Sequence, residues 1–252
     1  MLKIRSFCSL ALLILIGCSE APKIEINPTS RLVLAELFTW ARCVYCPYAS
    51  KALDSLAKEF QDSLAIIAYH RRILGDTLSP QYVENRKNFY YDTGGEPAVL
   101  FDGIGPVWTQ DPSQNYQTYK NYIINRRNRK SPLLIRLDSQ IQTNTGIIRT
   151  TIVPTDTITT TNLSLFFVIC EDSVRFFLSG ATDTIFNHVM RLMIPNENGI
   201  ACTLAFGDSL IKEVQFPLEQ NWNRTKLTAI SFVQDLATKE ILQSAIKKPL
   251  LK

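Results

Sequence analysis

Two cysteines, Cys43 and Cys46, lie where an apolar run gives way to an amphipathic helix. Residues 32–38 form an almost unbroken apolar run, which is typical of a strand buried on both faces of a sheet. Residues 48–60 carry apolar side chains at helical spacing. A thiol at a helix N-terminus faces free backbone N–H groups and the positive end of the helix dipole, and both stabilise a thiolate. The pattern therefore predicts a reactive cysteine pair at a strand-to-helix junction.

The elements that follow complete the order strand, helix, strand, helix, strand, strand, helix. A strand–helix–strand unit of this length implies a parallel strand pair. The later elements are a strand at 64–69, a helix at 79–91, strands at 98–101 and 103–108 joined by an Asp102-Gly103 turn, and a helix at 115–129. This is the order of a thioredoxin fold, so we expect an α/β thioredoxin-like domain over residues 32–130.

Beyond Pro132 the chain consists of short apolar or alternating runs separated by Asn, Asp, Gly and Pro. The runs are at 133–137, 146–153, 163–170, 188–194, 210–216, 226–234 and 240–246. Such spacing predicts an all-β, immunoglobulin-like antiparallel sandwich over residues 131–252.

The first residues have the anatomy of an export signal. Lys3 and Arg5 precede an apolar stretch that is too short to span a bilayer. The stretch ends in Leu15-Ile16-Gly17-Cys18, which resembles the lipobox of bacterial lipoproteins. We therefore expect a signal peptide at 1–17, a lipid on Cys18 that attaches the protein to a membrane, and a tether at 18–31. The alternative is an ordinary secretory signal with a chance cysteine.

We expect a lipid-anchored exported protein to reside in the cell envelope. Ser19, after the lipidated cysteine, is compatible with the outer membrane. The sequence leaves undetermined which face of that membrane carries the protein. The net charge of +4 is modest. We expect no nucleic-acid partner outside the inner membrane, and the oligomeric state is left open.

Each side chain around the cysteine pair has a predicted role. Cys43 is expected to be the exposed attacking thiol and Cys46 the buried resolving thiol. Arg42 either favours the thiolate by its charge or merely borders the site in solvent. Glu36 either shuttles the proton of the buried thiol or sits on the wrong face of its strand.

Pro97 lies in Gly94-Gly95-Glu96-Pro97-Ala98, just ahead of the third strand. In thioredoxin folds a cis-proline at this point lies beside the two cysteines. Proline adopts a cis bond cheaply and the glycine pair permits an unusual turn, so a cis bond is expected here, with a trans loop proline as the alternative.

These motifs together resemble the outer-membrane protein twenty-eight family of Bacteroidetes. The matching segments are Glu36-Leu37-Phe38-Thr39, Cys43 to Pro47, the Pro97 strand start and Asn187-His188-Val189-Met190-Arg191. The resemblance implies a thioredoxin-like domain joined to a C-terminal β domain. The sequence departs from thioredoxins at Arg42, where they carry Trp, and at Glu96, where many use Thr or another small residue. The first departure puts the substrate range in doubt, not the fold.

Other uses of the cysteines remain possible. Zinc would need four ligands, and only His70, His188, Cys170 and Cys202 could supplement the pair, none at ligand spacing, so no metal is expected. A Cys-His hydrolase would need His70 near the thiol, but a second cysteine so close argues for redox chemistry. Cys170 and Cys202 either form a structural disulfide or stay as buried thiols.

The resulting prediction is thiol–disulfide exchange with the thiols or disulfides of exported proteins. No cofactor is implied, because the cysteine pair itself carries the electrons. The competing interpretation is a non-catalytic binding or adhesion lipoprotein in which Cys43–Cys46 is a permanent structural disulfide.

Overall fold

The computed structural model describes residues 31–250. The predicted signal peptide at 1–17, the predicted lipid on Cys18 and all of the predicted tether except Arg31 lie outside the described residues. Within residues 31–250, no helix combines the length and the apolar character needed to cross a bilayer. The chain is mostly β-sheet with a few helices.

The N-terminal half contains the predicted order of elements. They are β1 Val33–Thr39, α1 Cys46–Phe60, β2 Leu64–His70, α2 Val83–Tyr90, β3 Ala98–Phe101, β4 Ile104–Val107 and α3 Asn115–Arg127. β1 and β2 are parallel, β3 is antiparallel to β1, and β4 is antiparallel to β3. The strand order β2-β1-β3-β4 is that of a thioredoxin-like sheet.

The alternation of side chains along β1 assigns the helices to opposite faces of this sheet. Val33, Ala35 and Leu37 pack with apolar residues of α1 and α3. Leu34 and Phe38 point to the other face and belong to the cluster that contains residues of α2. α2 begins later than predicted, because residues 80–82 form turns instead, with Val83 N donating to the Pro80 carbonyl at 3.2 Å.

All seven strands predicted for the C-terminal half are present. They are β5 Leu133–Gln142, β6 Thr145–Pro154, β7 Leu163–Glu171, β10 Val189–Ile194, β12 Leu210–Pro217, β13 Leu227–Asp235 and β14 Ile241–Lys247. Three very short strands were not predicted: β8 Val174–Arg175, β9 Ile185–Phe186 and β11 Ile200–Cys202. Strands of two or three residues leave no alternating pattern to recognise.

The strands of the C-terminal half do not form a separate sandwich. β10 pairs in parallel with β2, and a nine-stranded sheet runs in the order β14-β13-β7-β10-β2-β1-β3-β4, with β11 beside β7. β12, β6 and β5 form a second sheet of three strands. The expectation of a self-contained immunoglobulin-like sandwich is corrected accordingly, because four of its strands extend the thioredoxin-like sheet.

The cores follow the sheets. Apolar residues of β5 and β6 pack on Leu165 and Phe167 of β7, which joins the two sheets face to face. Phe166, on the opposite face of β7, belongs to the same cluster as Phe38 of β1. The two halves of the chain therefore share a core, and the domain boundary between residues 130 and 131 stays a prediction.

The two ends of the strand order of the large sheet are connected: the β3–β4 turn at one end contacts β14, the strand at the other end. Asp102 lies in the β3–β4 turn and accepts hydrogen bonds from Leu34 N, Arg31 and Arg126. Its backbone carbonyl accepts from Ile241 N, at the start of β14, at 2.9 Å. These contacts fasten the start of β14 to the thioredoxin-like half of the chain.

Candidate functional site

Cys43 and Cys46 form a disulfide at the N-terminus of α1, with their Cα atoms 5.4 Å apart. β1 ends at Thr39, and a turn in which Cys43 N donates to the Trp40 carbonyl leads into the helix. Cys46 N donates to Cys43 Sγ at 3.1 Å. A free N–H of the first helical turn is therefore aimed at the sulfur of the first cysteine, where it would stabilise a thiolate.

The peptide bond between Glu96 and Pro97 is cis, as the sequence predicts. The Glu96 carbonyl oxygen lies 3.5 Å from Cys43 Sγ, so this segment borders the disulfide. The Glu96 carboxylate instead pairs with Arg71 Nη1 at 2.7 Å. The unusual residue before the proline thus presents only its backbone to the cysteines.

The expectation that Cys43 is exposed is wrong. Its exposure is 4%, and that of Cys46 is 2%. Residues 173–186, which carry β8 and β9 and are called the covering segment below, contact the loop that carries the pair through Thr182. Thr182 N donates to the Ala41 carbonyl at 3.1 Å, and Thr182 Oγ1 lies 3.3 Å from the Cys43 carbonyl.

Arg42 faces the covering segment. A Cβ atom on Gly180 would lie 3.7 Å from Arg42 Nε, which is buried and has no hydrogen-bond partner among the described residues. The packing of Arg42 therefore involves residues 173–186, and its effect on the Cys43 thiolate stays a prediction.

Glu36 is buried on the face of β1 that points away from α1. Its Oε1 accepts from Tyr69 Oη at 2.9 Å and from Arg86 Nη2 at 2.8 Å, and its Oε2 accepts from Tyr90 Oη at 2.5 Å. α1, whose first residue is Cys46, packs on the opposite face. The geometry favours the second interpretation of Glu36, on the wrong face for proton transfer.

A buried histidine–aspartate pair adjoins the cysteines. His70 ends β2 and is the register partner of Thr39, the last residue of β1. His70 Nδ1 lies 2.8 Å from Asp76 Oδ2, and both residues are 2% exposed. His70 and Cys46 line one cavity of about 100 Å³. The sequence placed His70 at the strand end, but nothing in its spacing identified Asp76 as its partner.

His188 also lies between acidic groups. Its Nε2 is 3.2 Å from Asp54 of α1, and its Nδ1 is 3.3 Å from Asp172 at the end of β7. Across residues 31–250, no three histidine, cysteine, aspartate or glutamate side chains are grouped to hold a metal ion.

The structural disulfide considered for Cys170 and Cys202 is not formed, and both cysteines are free. Cys202 of β11 pairs with Leu163 at one end of β7, while Cys170 lies seven residues further along that strand. Seven residues of strand span roughly 23 Å. A disulfide requires Cα atoms about 4.4–6.8 Å apart.

No family model and no curated protein matches the sequence. Among solved structures, HBP35 of Porphyromonas gingivalis superposes with a TM-score of 0.71 at 16% identity, covering 87% of this chain and 75% of that one. An Agrobacterium tumefaciens protein superposes with a TM-score of 0.56 at 16% identity, covering 88% and 96%. At this identity the likeness shows the fold, in both halves of the chain.

A domain of the outer membrane lipoprotein Omp28 from Porphyromonas gingivalis covers 47% of this chain and 88% of its own, at 13% identity and a TM-score of 0.35. That score is too low to support a shared fold.

Proposed function

We propose that this protein is an envelope lipoprotein, tethered through Cys18, that exchanges thiols and disulfides with exported proteins. The observation that carries the proposal is the disulfide at the N-terminus of α1, bordered by the cis Glu96–Pro97 bond. The lipobox at Cys18 and the resemblance to the outer-membrane protein twenty-eight family support a location at the outer membrane.

The chemistry follows from the geometry of the pair. In the reduced protein, Cys43 Sγ keeps the N–H of Cys46 as a donor, so Cys43 is the thiol whose anion is stabilised. Cys43 therefore attacks a substrate disulfide, and Cys46 resolves the mixed disulfide that results. The cysteines carry both electrons, and no metal, nucleotide or flavin takes part in this scheme.

A substrate can approach from the side of the motif's own spacer residues. Val44 is 67% exposed and Tyr45 is 60% exposed, although the two cysteines on either side of them are buried. These apolar side chains offer a contact surface to a polypeptide, while the covering segment shields the other side. Opening of the covering segment, whose Thr182 contacts the loop that carries Cys43, would give a second route to the disulfide.

The second candidate is a non-catalytic binding or adhesion lipoprotein with a structural disulfide. The observation that favours it is the burial of both cysteines. A buried disulfide is protected from thiols, which must reach a sulfur atom to react.

The reduction potential of the pair separates these functions. The exported part of the chain, with Cys170→Ala and Cys202→Ala, would be equilibrated in glutathione or dithiothreitol buffers and its thiols counted. A potential above about −270 mV supports exchange, whereas a value below about −300 mV supports the structural disulfide. Cys46→Ser in the native host adds a second test, because it should trap covalent partners on Cys43, and Cys43→Ser is the matched control.

A further inference from the structure

The resolving step of the proposed exchange needs a group that removes a proton from a buried thiol. Cys46 is 2% exposed, and only its thiolate is nucleophilic. Burial disfavours that anion unless a base stands nearby. Glu36, the carboxylate of β1, is engaged by Arg86 on the opposite face of the sheet. Another acceptor is therefore required on the side of α1.

His70 occupies the required place. It ends β2 directly beside the end of β1, and it shares a cavity of about 100 Å³ with Cys46. Its ring packs edge-on against Phe186 of the covering segment, with the ring centroids 5.0 Å apart. A cavity of this volume has room for a water molecule, through which a proton would pass from Cys46 to His70.

Asp76 fixes both the orientation and the tautomer of His70. Its Oδ2 accepts from Ala41 N at 2.7 Å and its Oδ1 accepts from Leu78 N at 3.0 Å, so the carboxylate acts as an acceptor. Its contact with His70 Nδ1 at 2.8 Å then requires the proton on Nδ1, which leaves Nε2 with a free lone pair. Because Oδ2 also holds Ala41, one carboxylate ties the imidazole to the loop that carries Cys43.

We propose that His70 is the proton acceptor for Cys46 and that Asp76 is its positioning residue, an inference that rests on the exchange function proposed above. Cys43 thiolate attacks a substrate disulfide, so a Cys43–substrate bond forms and the first substrate thiolate leaves. His70 Nε2 takes the proton of Cys46, whose thiolate attacks Cys43 Sγ. The intramolecular disulfide forms, the mixed disulfide breaks and the second substrate thiolate leaves.

Electrons and protons balance over these reaction steps. The two cysteines of the protein lose two electrons and the substrate disulfide gains them. The proton held on His70 passes to the departing thiolate or to solvent. In the opposite direction of exchange, the imidazolium returns the proton to Cys46.

Other charged groups face the same cavity and would contribute to its pH response. Lys51 and Asp54 reach it from α1, and Asp183 reaches it from the covering segment. A test must therefore compare the pH profile of His70 variants with that of a variant at one of these positions, such as Asp183→Asn.

The test uses the exported part of the chain with Cys170→Ala and Cys202→Ala, reduced and mixed with an aromatic disulfide that releases a coloured thiolate. The first release reports attack by Cys43, and the second release reports resolution by Cys46. The two phases would be followed by stopped flow between pH 5 and 9. His70→Asn keeps a donor toward Asp76 but has no base.

We expect His70→Asn to slow the second release by about 10²-fold or more, the usual contribution of a general base. Its first release should stay within about twofold of the parent. The parent's second-phase rate should depend on pH less steeply than that of His70→Asn, in which it should rise in proportion to hydroxide. Added imidazole should restore part of the rate in His70→Ala, and Asp76→Asn should shift the midpoint of the pH profile.

If the rate of the second release in His70→Asn matched that of the parent across the pH range, the role of His70 would be overturned and the exchange function would stand. Equal slowing of both phases would also overturn it, because His70 would then act by supporting the loop. Absence of the first release in the reduced parent would instead overturn the exchange function itself. Thermal unfolding of each variant shows whether a loss of rate reflects a loss of fold.

Discussion

Glu36 and Arg86 form an ion pair that is sealed inside the protein, with Arg86 Nη2 2.8 Å from Glu36 Oε1 and side-chain exposures of 1% and 0%. Although burial opposes the charge, the Glu36 carboxylate keeps the pKa of Arg86 raised. Arg86 Nη1 also donates to Gln234 of β13 at 2.8 Å. The pair therefore joins β1 and α2 to a strand from the other half of the chain.

Breaking this pair should be costly, because one charge would be left buried without a partner. We expect Arg86→Met to lower the free energy of unfolding by about 3–5 kcal/mol. Glu36→Leu combined with Arg86→Met should recover part of that loss, since it removes the second charge as well. Denaturant unfolding measures both effects, and a double variant that loses the full sum of the single losses would contradict the coupling.

The Asp102-Gly103 turn, which the sequence identified, has positive φ at both residues, 50° at Asp102 and 75° at Gly103. A Cβ on Gly103 would lie 1.9 Å from the Lys239 carbonyl oxygen, just before β14. Gly103→Ala should therefore cost at least about 1 kcal/mol for the left-handed backbone alone, and more for the collision. Gly95→Ala is the matched control for unfolding, because a Cβ on Gly95 would meet nothing within 4 Å. Equal stabilities of the two variants would refute the strain at Gly103.

Much of the N-terminal half is predictable from the sequence, because each of its elements is specified by a pattern within a short stretch of residues. The apolar run of β1 and the helical spacing of α1 each specify an element within a few residues. The pairing of β10 with β2 is not local: it depends on a short bridge between Val189 and Ala68, supported by Ala68 N donating to the His188 carbonyl at 2.8 Å. No periodicity records which sheet edge a strand will join.

In the candidate site, too, the local features were predictable from the sequence and the non-local features were not. The cysteine pair and the proline before β3 are both recognisable from short sequence motifs, and the structure places the two motifs next to each other. The contact of Thr182 with the Cys43 carbonyl joins residues that are distant in sequence, and the His70–Asp76 pair depends on a loop whose conformation no motif specifies. Exposure and side-chain partners are properties of tertiary packing, so they appeared only in the structure.

His188 should couple stability to acid pH through two carboxylates. Burial opposes ionisation of Asp54 and Asp172, but contacts with His188 prevail, together with Asn187 at Asp54 and Lys248 at Asp172, and the pKa of each carboxylate is lowered below its usual value. A depressed folded pKa adds stability that is fully present above the unfolded pKa of about 4 and is lost as the pH falls through the folded values. Part of the acid sensitivity below pH 4 should thus come from this cluster.

His188→Asn tests that cluster, because asparagine tolerates the φ of 56° found at this position. The variant should lose on the order of 1 kcal/mol at pH 6.5 and should show a shallower decline below pH 4, as followed by urea unfolding. Asn187→Ala, which removes a neutral donor to Asp54 and a neutral acceptor of the Ser173 N–H, is the control, because it changes no charge. A decline with unchanged slope in His188→Asn would exclude the histidine as its source.

The two free cysteines should be unreactive in the folded protein. Burial raises the pKa of Cys170 well above its usual range and raises that of Cys202 to about 11. Since the thiolate is the species that is alkylated, iodoacetamide at pH 8 should leave Cys170 unmodified and should modify Cys202 only slowly. Mass spectrometry before and after unfolding gives the result. Finding Cys170 joined to Cys202 would contradict the seven-residue offset along β7.

Thr182 should limit access to the Cys43–Cys46 disulfide. Its Oγ1 lies 3.3 Å from the carbonyl oxygens of both Ala41 and Cys43, so its one hydroxyl proton is shared between the two. Thr182→Val keeps the shape of the side chain and removes that hydrogen bond, which is worth about 0.5–1.5 kcal/mol. If opening of the covering segment precedes reaction, the rate of reduction by dithiothreitol should rise by roughly 2- to 12-fold, the factor to which that energy corresponds.

Thr184→Val, at an exposed position of the same segment, is the matched control and should leave the rate unchanged. Equal rates in the two variants would mean that the disulfide is reached by a route that does not involve Thr182, and access would then have to come from the side of Val44 and Tyr45.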